Sequence, residues 1–381
     1  MSDNLHAASS QWASRPADER FWSLRDMRIA CGVARANSIG AVVPFAQLRV
    51  APQGEDLALI GPTGQPARFT HYSFDRFAGD VGAPASYLRK LPVDIAAGAL
   101  NASIAQSEEK SDRDLLFHKN GGLAVRACLS CRYDRVWDED VCSMLERLDG
   151  WRPPAGYWVD GPSRIATAED ILPGQIRIQP GDKIGPSGLY ASDHDMFAFL
   201  VAPDRVISDG GGGSLMRGFF VRNSEVGDSS LSVTFFLMQA VCGNHIVWNA
   251  TGVHEIKVRH VGKDTLGRAF RGFAAQLRTY HDAAASEEGR ILAARNMVLG
   301  NSKTEVLDAL YKYAQGHSLP LSRARLGEAL DVAAEHEDWY GNPRTVWAAV
   351  AGLTHASQKT GFADERANMD RAAGKLMQMA F

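Results

Sequence analysis

The stretch Arg217-Gly218-Phe219-Phe220-Val221-Arg222-Asn223-Ser224-Glu225-Val226-Gly227-Asp228-Ser229-Ser230-Leu231-Ser232-Val233-Thr234-Phe235-Phe236-Leu237-Met238-Gln239-Ala240-Val241-Cys242-Gly243-Asn244-His245-Ile246-Val247-Trp248 decides the fold. Three apolar, β-prone runs are cut by two polar clusters, Asn223–Asp228 and Gly243-Asn244. Aromatic and β-branched runs bounded by Gly, Asn, Asp and Ser read as a strand meander. In the first cluster Asn tolerates a left-handed backbone, Gly supplies positive φ, and Ser and Asp bond nearby backbone. That chemistry accounts for a turn. The surplus marks Asn223 and Glu225 as turn or subunit-contact residues, with Arg222 beside them as a phosphate or carboxylate contact.

Upstream of this stretch, residues 1–20 read as a flexible tail and Phe21–Arg35 as a short helix. Gly40–Val50 and Leu57–Ile60 alternate as strands do, and His71–Leu91 reads as two short helices. Val93–Gln106 is a further helix. Asp112–Lys119 and Leu123–Tyr133 are strands joined through Asn120-Gly121-Gly122, a hairpin signal. Asp138–Leu148 is a helix, and Trp151-Arg152-Pro153-Pro154 breaks the pattern. Met196–Val201, Arg205–Ile207 and His254–Val261 are strands. From about Thr265 the period changes from two to 3.6, and Leu266, Ala269, Phe270, Phe273 and Leu277 share one helical face. Helices follow at Thr304–Ala314, Leu321–Glu337 and Pro343–Gln358.

The fold class expected is α+β: a central antiparallel β-meander packed with helices, and a C-terminal helical region. The divisions are a tail at 1–20, an α+β region at 21–150, the meander plus a basic helix at 155–300, and helices at 301–381.

The chain has 381 residues and a formal net charge of −3, so any nucleic-acid surface has to be a local basic patch. Five scattered cysteines argue against a disulfide framework and fit a reducing, cytoplasmic setting. No apolar run reaches the roughly 18 residues of a membrane span.

The local patch is present. Between residues 252 and 278 stand Lys257, Arg259, Lys263, Arg268, Arg271 and Arg278, against Glu255 and Asp264. Such an excess is what phosphate-backbone binding uses. Phe219, Phe220, Trp248, Phe270 and Phe273 are nearby aromatic residues for base stacking. Arg126, Arg132 and Arg135, interleaved with Tyr133 and Trp137, extend the same expectation.

Asp193, His194 and Asp195 have metal-ligand residue types, and with Asp209, Glu225 or His245 they define an alternative divalent-metal site. Cys128 and Cys131 have C-x-x-C spacing, but no second pair follows, so structural cysteines are expected. Phosphate-loop, nucleophile-elbow, H-E-x-x-H and dinucleotide motifs do not occur, which argues against an ATPase, serine hydrolase, zincin or Rossmann enzyme.

Arg217–Gly227 resembles a family described as phage/plasmid-like proteins of unknown function. The likeness continues through Phe236-Leu237, Val241–Trp248 and Ile256–His260, with a looser match at Leu129-Ser130 and Arg132-Tyr133. The resemblance implies a mobile-element origin; it implies no known reaction and supplies no catalytic residues to carry over. The meander followed by a basic helix is also similar, in topology alone, to ring-forming single-strand annealing proteins. The expectation is therefore an ATP-independent DNA-binding protein that is not an enzyme, acts in single-strand annealing and needs no cofactor. It would contact phosphates through Arg222, Lys257, Arg259, Lys263, Arg268 and Arg271, with single-stranded DNA and further copies of itself as partners. The alternatives are a metal-dependent nuclease or hydrolase and a structural or host-interaction protein of a phage.

Overall fold

The computed structural model describes residues 16–21, 23–107, 111–119, 121–153, 189–208, 210–211, 214–239, 246–248, 256–282, 284–357 and 363–381. The first helix, α1 (Leu24–Ala36), starts where the Ser23 hydroxyl accepts the Asp26 backbone N–H at 3.1 Å. Leu24, Met27 and Cys31, spaced for one face, are its buried residues. The end of the supposed tail is docked rather than loose. Residues 17–19 form a 3-10 turn, and Arg20 bridges to Tyr190.

The N-terminal sheet is built from β1 (Ser38–Pro44), β2 (Arg49–Gln53), β3 (Asp56–Ile60), β4 (Pro66–Phe69), β5 (Asp112–Lys119) and β6 (Leu123–Ser130), in the order β1-β5-β6-β4-β3-β2. The strand expected over Gly40–Val50 is two strands, because a 3-10 turn at Phe45–Gln47 follows Pro44. Helices α2 (His71–Asp80), α3 (Ala85–Leu88) and α4 (Val93–Gln106) cover this sheet. Asn101 of α4 bonds both the N–H and the C=O of Val50 at 2.8 Å, pinning helix to strand. Phe45, Leu48, Phe77, Leu100, Leu115 and Val125 are core residues beneath them. After β6 comes α5 (Asp138–Leu145), which packs on α1.

The central sheet comprises β7 (Leu189–Ala191), β8 (Met196–Ser208), β9 (Ser214–Asn223), β10 (Leu231–Gln239), β11 (Ile246–Trp248) and β12 (Ile256–Val258). Its order is β11-β10-β9-β8-β7, with β12 also pairing β10, and every pairing is antiparallel. The two strands expected at 196–201 and 205–207 are one, β8, with a register shift between Ala202 and Val206. Alternation sorts the side chains cleanly. Leu200, Phe219, Val221, Val233, Phe235 and Leu237 enter the main core, whereas Phe199, Met216, Phe220 and Phe236 form a second cluster on the opposite face. Gly218 is obligatory there, since a Cβ would lie 2.2 Å from the Phe236 ring.

The remaining helices are α6 (Thr265–Asp282), α7 (Ala284–Asn296), α8 (Lys303–Gly316), α9 (Arg323–Glu335), α10 (Glu337–Tyr340), α11 (Val346–Ser357) and α12 (Ala363–Leu376). The fold is thus α+β, as expected. Phe273 of α6 packs against Phe219 and Phe235. A buried pair fixes the sheet to the next helix. Arg217 of β9 lies 2.6 Å from Glu287 of α7 and donates to the Tyr280 carbonyl of α6. Among the described residues no helix is long and apolar enough to cross a membrane.

Candidate nucleic-acid interface

The polar turn after β9 points inward. Asn223 and Glu225 are buried, so their side chains are not presented to a second copy of the chain. Asn223 Nδ2 donates to the Val136 carbonyl at 2.9 Å and to Asp138 Oδ1 at 2.7 Å. Glu225 Oε1 accepts the Asp138 backbone N–H at 3.0 Å, and its Oε2 lies 2.9 Å from Arg126 Nη1. Ser224 accepts the N–H groups of Val226 and Asp228 and donates to the His194 carbonyl at 2.6 Å. Gly227 closes the turn at φ 86°, with Leu129 only 2.9 Å from where its Cβ would stand. The turn is the joint between the two sheets, and this internal use explains the surplus of polar residues.

Arg126 and Arg135 belong to that joint and not to a nucleic-acid surface. Arg126 is 4% exposed and donates through Nε and Nη2 to the Asp193 carbonyl. Arg135 donates to the Glu225 carbonyl and pairs with Asp114 at 2.6 Å. Arg132 of the same string is exposed. Beside the joint is a cavity of about 270 Å³, lined by Cys31, His118, Arg126, Asp138, Asp193 and Glu225 among others. Burial, reinforced by the Glu225 charge, pushes the Asp138 carboxyl well up, and Arg126 lies against Glu225. The sequence carried no signal for Asp138, which reads as an ordinary acidic residue in a first helical turn.

Asp193, His194 and Asp195 are close together. His194 Nδ1 is 2.6 Å from Asp193 Oδ1, and its Nε2 is 3.7 Å from Asp195 Oδ1. The bond to Asp193 raises the His194 pKa, and the same bond lowers that of Asp193. Glu225 does not complete a metal site with them, because the Arg126 guanidinium stands between its carboxylate and the Asp193 carbonyl. Among the described residues no group of three or more His, Cys, Asp or Glu side chains is placed to share a metal ion. Asp209 and His245 lie outside the described residues. Cys31, Cys128, Cys131 and Cys142 are free thiols.

The cations near α6 divide into two sets. Arg222, Ser232 and Lys257 are directly opposite one another across β9, β10 and β12, so Arg222 and Lys257 share the sheet face away from α6. Arg222 lies over the rings of Phe197 and Phe220. Ile256 and Val258 take the other face and pack against the main core. Lys257 and the basic residues of the helix therefore do not form one wall, since the pleat sends Lys257 the other way. His254 and Glu255 of the same expected strand lie outside the described residues.

The second set is Lys263, Arg268 and Arg271, all exposed at the start of α6, with exposed Arg259 just before them. Arg268 Nη2 donates to the Val261 carbonyl and to Thr265 Oγ1 at 2.9 Å, holding the approach to the helix. Arg271 forms an exposed pair with Asp264 at 3.1 Å, a contact worth ~0–1 kcal/mol and readily exchanged for a phosphate. Farther along the helix, Arg278 is also exposed. The aromatic expectations split as well. Phe219, Phe220 and Phe273 are buried and unable to stack on bases. The side chain of Trp248 lies outside the described part. Phe270, expected on the buried helix face, is instead 42% exposed.

Compared with known proteins, the chain matches no protein-family model, no curated protein and no solved structure.

Proposed function

We propose that the protein binds single-stranded DNA without ATP, in the strand-annealing chemistry of a mobile element, through the surface around the start of α6. One observation carries the reading: Arg259, Lys263, Arg268 and Arg271 are exposed together on one short segment of a chain whose net charge is −3. Asp264 is the acid that faces them through its pair with Arg271. A local cationic field of this kind draws in the phosphate backbone and releases its counterions on contact. Arg222 and Lys257, on the other sheet face, are a second and separate contact region in the same proposal. Self-association belongs to it too, as the means of aligning two strands.

The test is fluorescence anisotropy with a labelled oligothymidylate across a salt series. Binding is expected at about 50 mM salt, where phosphate contacts are strong, and should weaken linearly on a logarithmic salt scale. Lys263→Glu together with Arg271→Glu should reduce affinity and flatten the salt slope by ~1 per lost contact. Absence of binding at that low salt sinks the reading.

A further inference from the structure

Beside the basic stripe of α6 is a cleft of about 310 Å³, lined by Trp151, Phe270, Phe273, Ala274 and Leu277, with Arg147, Asp149 and Arg278 also on its walls. At ~100° per residue the face of α6 runs in a fixed order. Phe273 turns into the core, Leu277, Phe270 and Ala274 come next, then Arg278 and Arg271, and finally Arg268. The apolar wall and the cationic stripe are therefore adjacent strips of one helix. Arg268 to Arg278 covers ~15 Å of its axis.

We infer that this cleft receives an unstacked nucleobase of the single strand, with Phe270 as the stacking platform and Arg147 and Arg278 on the flanking phosphates. The inference rests on the DNA-binding reading and adds how the site tells single strands from duplexes. Three features support it. Phe270 stays substantially exposed in a helix whose neighbouring Phe273 is fully buried. Both arginines belong to the cleft and outnumber Asp149, so the rim complements an anionic backbone. The cleft also continues the stripe formed by Arg271 and Arg268. A base in a duplex has both faces occupied by its neighbours and cannot enter, whereas a single-stranded base offers a free π-face.

The experiment uses the full chain and an oligothymidylate of roughly 15 nucleotides carrying one 2-aminopurine, with an all-abasic strand of the same length as comparison. Stacking in the cleft is expected to change the 2-aminopurine emission on binding. Phe270→Ala should abolish that change and weaken binding roughly tenfold, Phe270→Trp should keep both, and the abasic strand should bind wild type about as weakly as the normal strand binds Phe270→Ala. Phe270 is a surface residue, so these variants keep the core intact. If Phe270→Ala binds and reports like wild type while Lys263→Glu/Arg271→Glu loses binding, the cleft is not a base site and the DNA-binding reading survives. If wild type binds neither strand, both fall together.

Discussion

The Arg126 guanidinium on β6 and the Glu225 carboxylate after β9 lie 2.9 Å apart, both almost fully buried, and so place an ion pair in the joint between the two sheets. Their neighbour Asp138 is bound to the same turn through Asn223 and through its own backbone N–H. A buried pair of this kind gives little over a well-packed apolar replacement, but breaking it on one side strands a charge.

Arg126→Met should therefore cost ~3–5 kcal/mol in urea unfolding. Arg126→Met combined with Glu225→Met should recover a substantial part of that loss. If the two single changes simply add, the pair is not coupled as the geometry requires.

Gly218→Ala places a methyl group 2.2 Å from the Phe236 ring and 3.0 Å from the Leu200 carbonyl. Both neighbours sit inside the sheet, so the strain has little room to relax. The expected loss is ~1–3 kcal/mol, read from the denaturation midpoint. A neutral or stabilising result would contradict the packing of β9 against β10.

The buried Arg217–Glu287 pair sets a pH dependence. Burial pushes the Glu287 carboxyl up from 4.5 to about 7, although Arg217 draws it down. Between those values the folded chain keeps a proton that the unfolded chain has released, so the folded state binds more protons. Stability is then greatest below the window, falls as pH rises through it, and levels off above. The fall attributable to this group is on the order of 3 kcal/mol. Glu287→Gln should lose that decline between about pH 4.5 and about pH 7 while the remaining pH dependence persists.

His194 offers a spectroscopic check. Its imidazole is raised chiefly by the bond to Asp193, so Asp193→Asn should lower the titration midpoint followed by NMR. A raised histidine contributes stability that is complete below the unfolded value and is lost as pH rises through the folded one. The Asp193→Asn protein should lose that contribution at lower pH than wild type does. An unchanged midpoint would mean that Asp193 does not hold the ring.

Periodicity made much of the fold legible. The expected helix Val93–Gln106 and the expected strand Asp112–Lys119 have the observed bounds, and the switch from period two to 3.6 marks the start of α6 at Thr265. Helix α7 is missing from the expected elements, because Ala284–Asn296 is rich in alanine and charge with weak apolar patterning, whereas α12 falls within the helical region expected at 301–381. The site was harder to read. Asn223–Asp228 announces a turn, but residue type does not say whether its polar groups face water or another sheet. Arg126 illustrates the same limit, since an arginine amid basic neighbours reads as surface until a partner such as Glu225, far along the chain, is brought to it. Phe270 shows the converse. Its spacing belongs to the apolar face, and only the gap between α6 and the Trp151 segment leaves it uncovered.

The two fixings of α6 have one more consequence. Arg268 holds its beginning to the Val261 carbonyl, and Arg217 and Tyr280 hold its end to β9 and β10. A ligand lying along this helix meets a track already tied down at both ends. The entropy lost on association then falls on the ligand rather than on the protein, so among single strands of equal charge, those already extended should bind more tightly than those that coil.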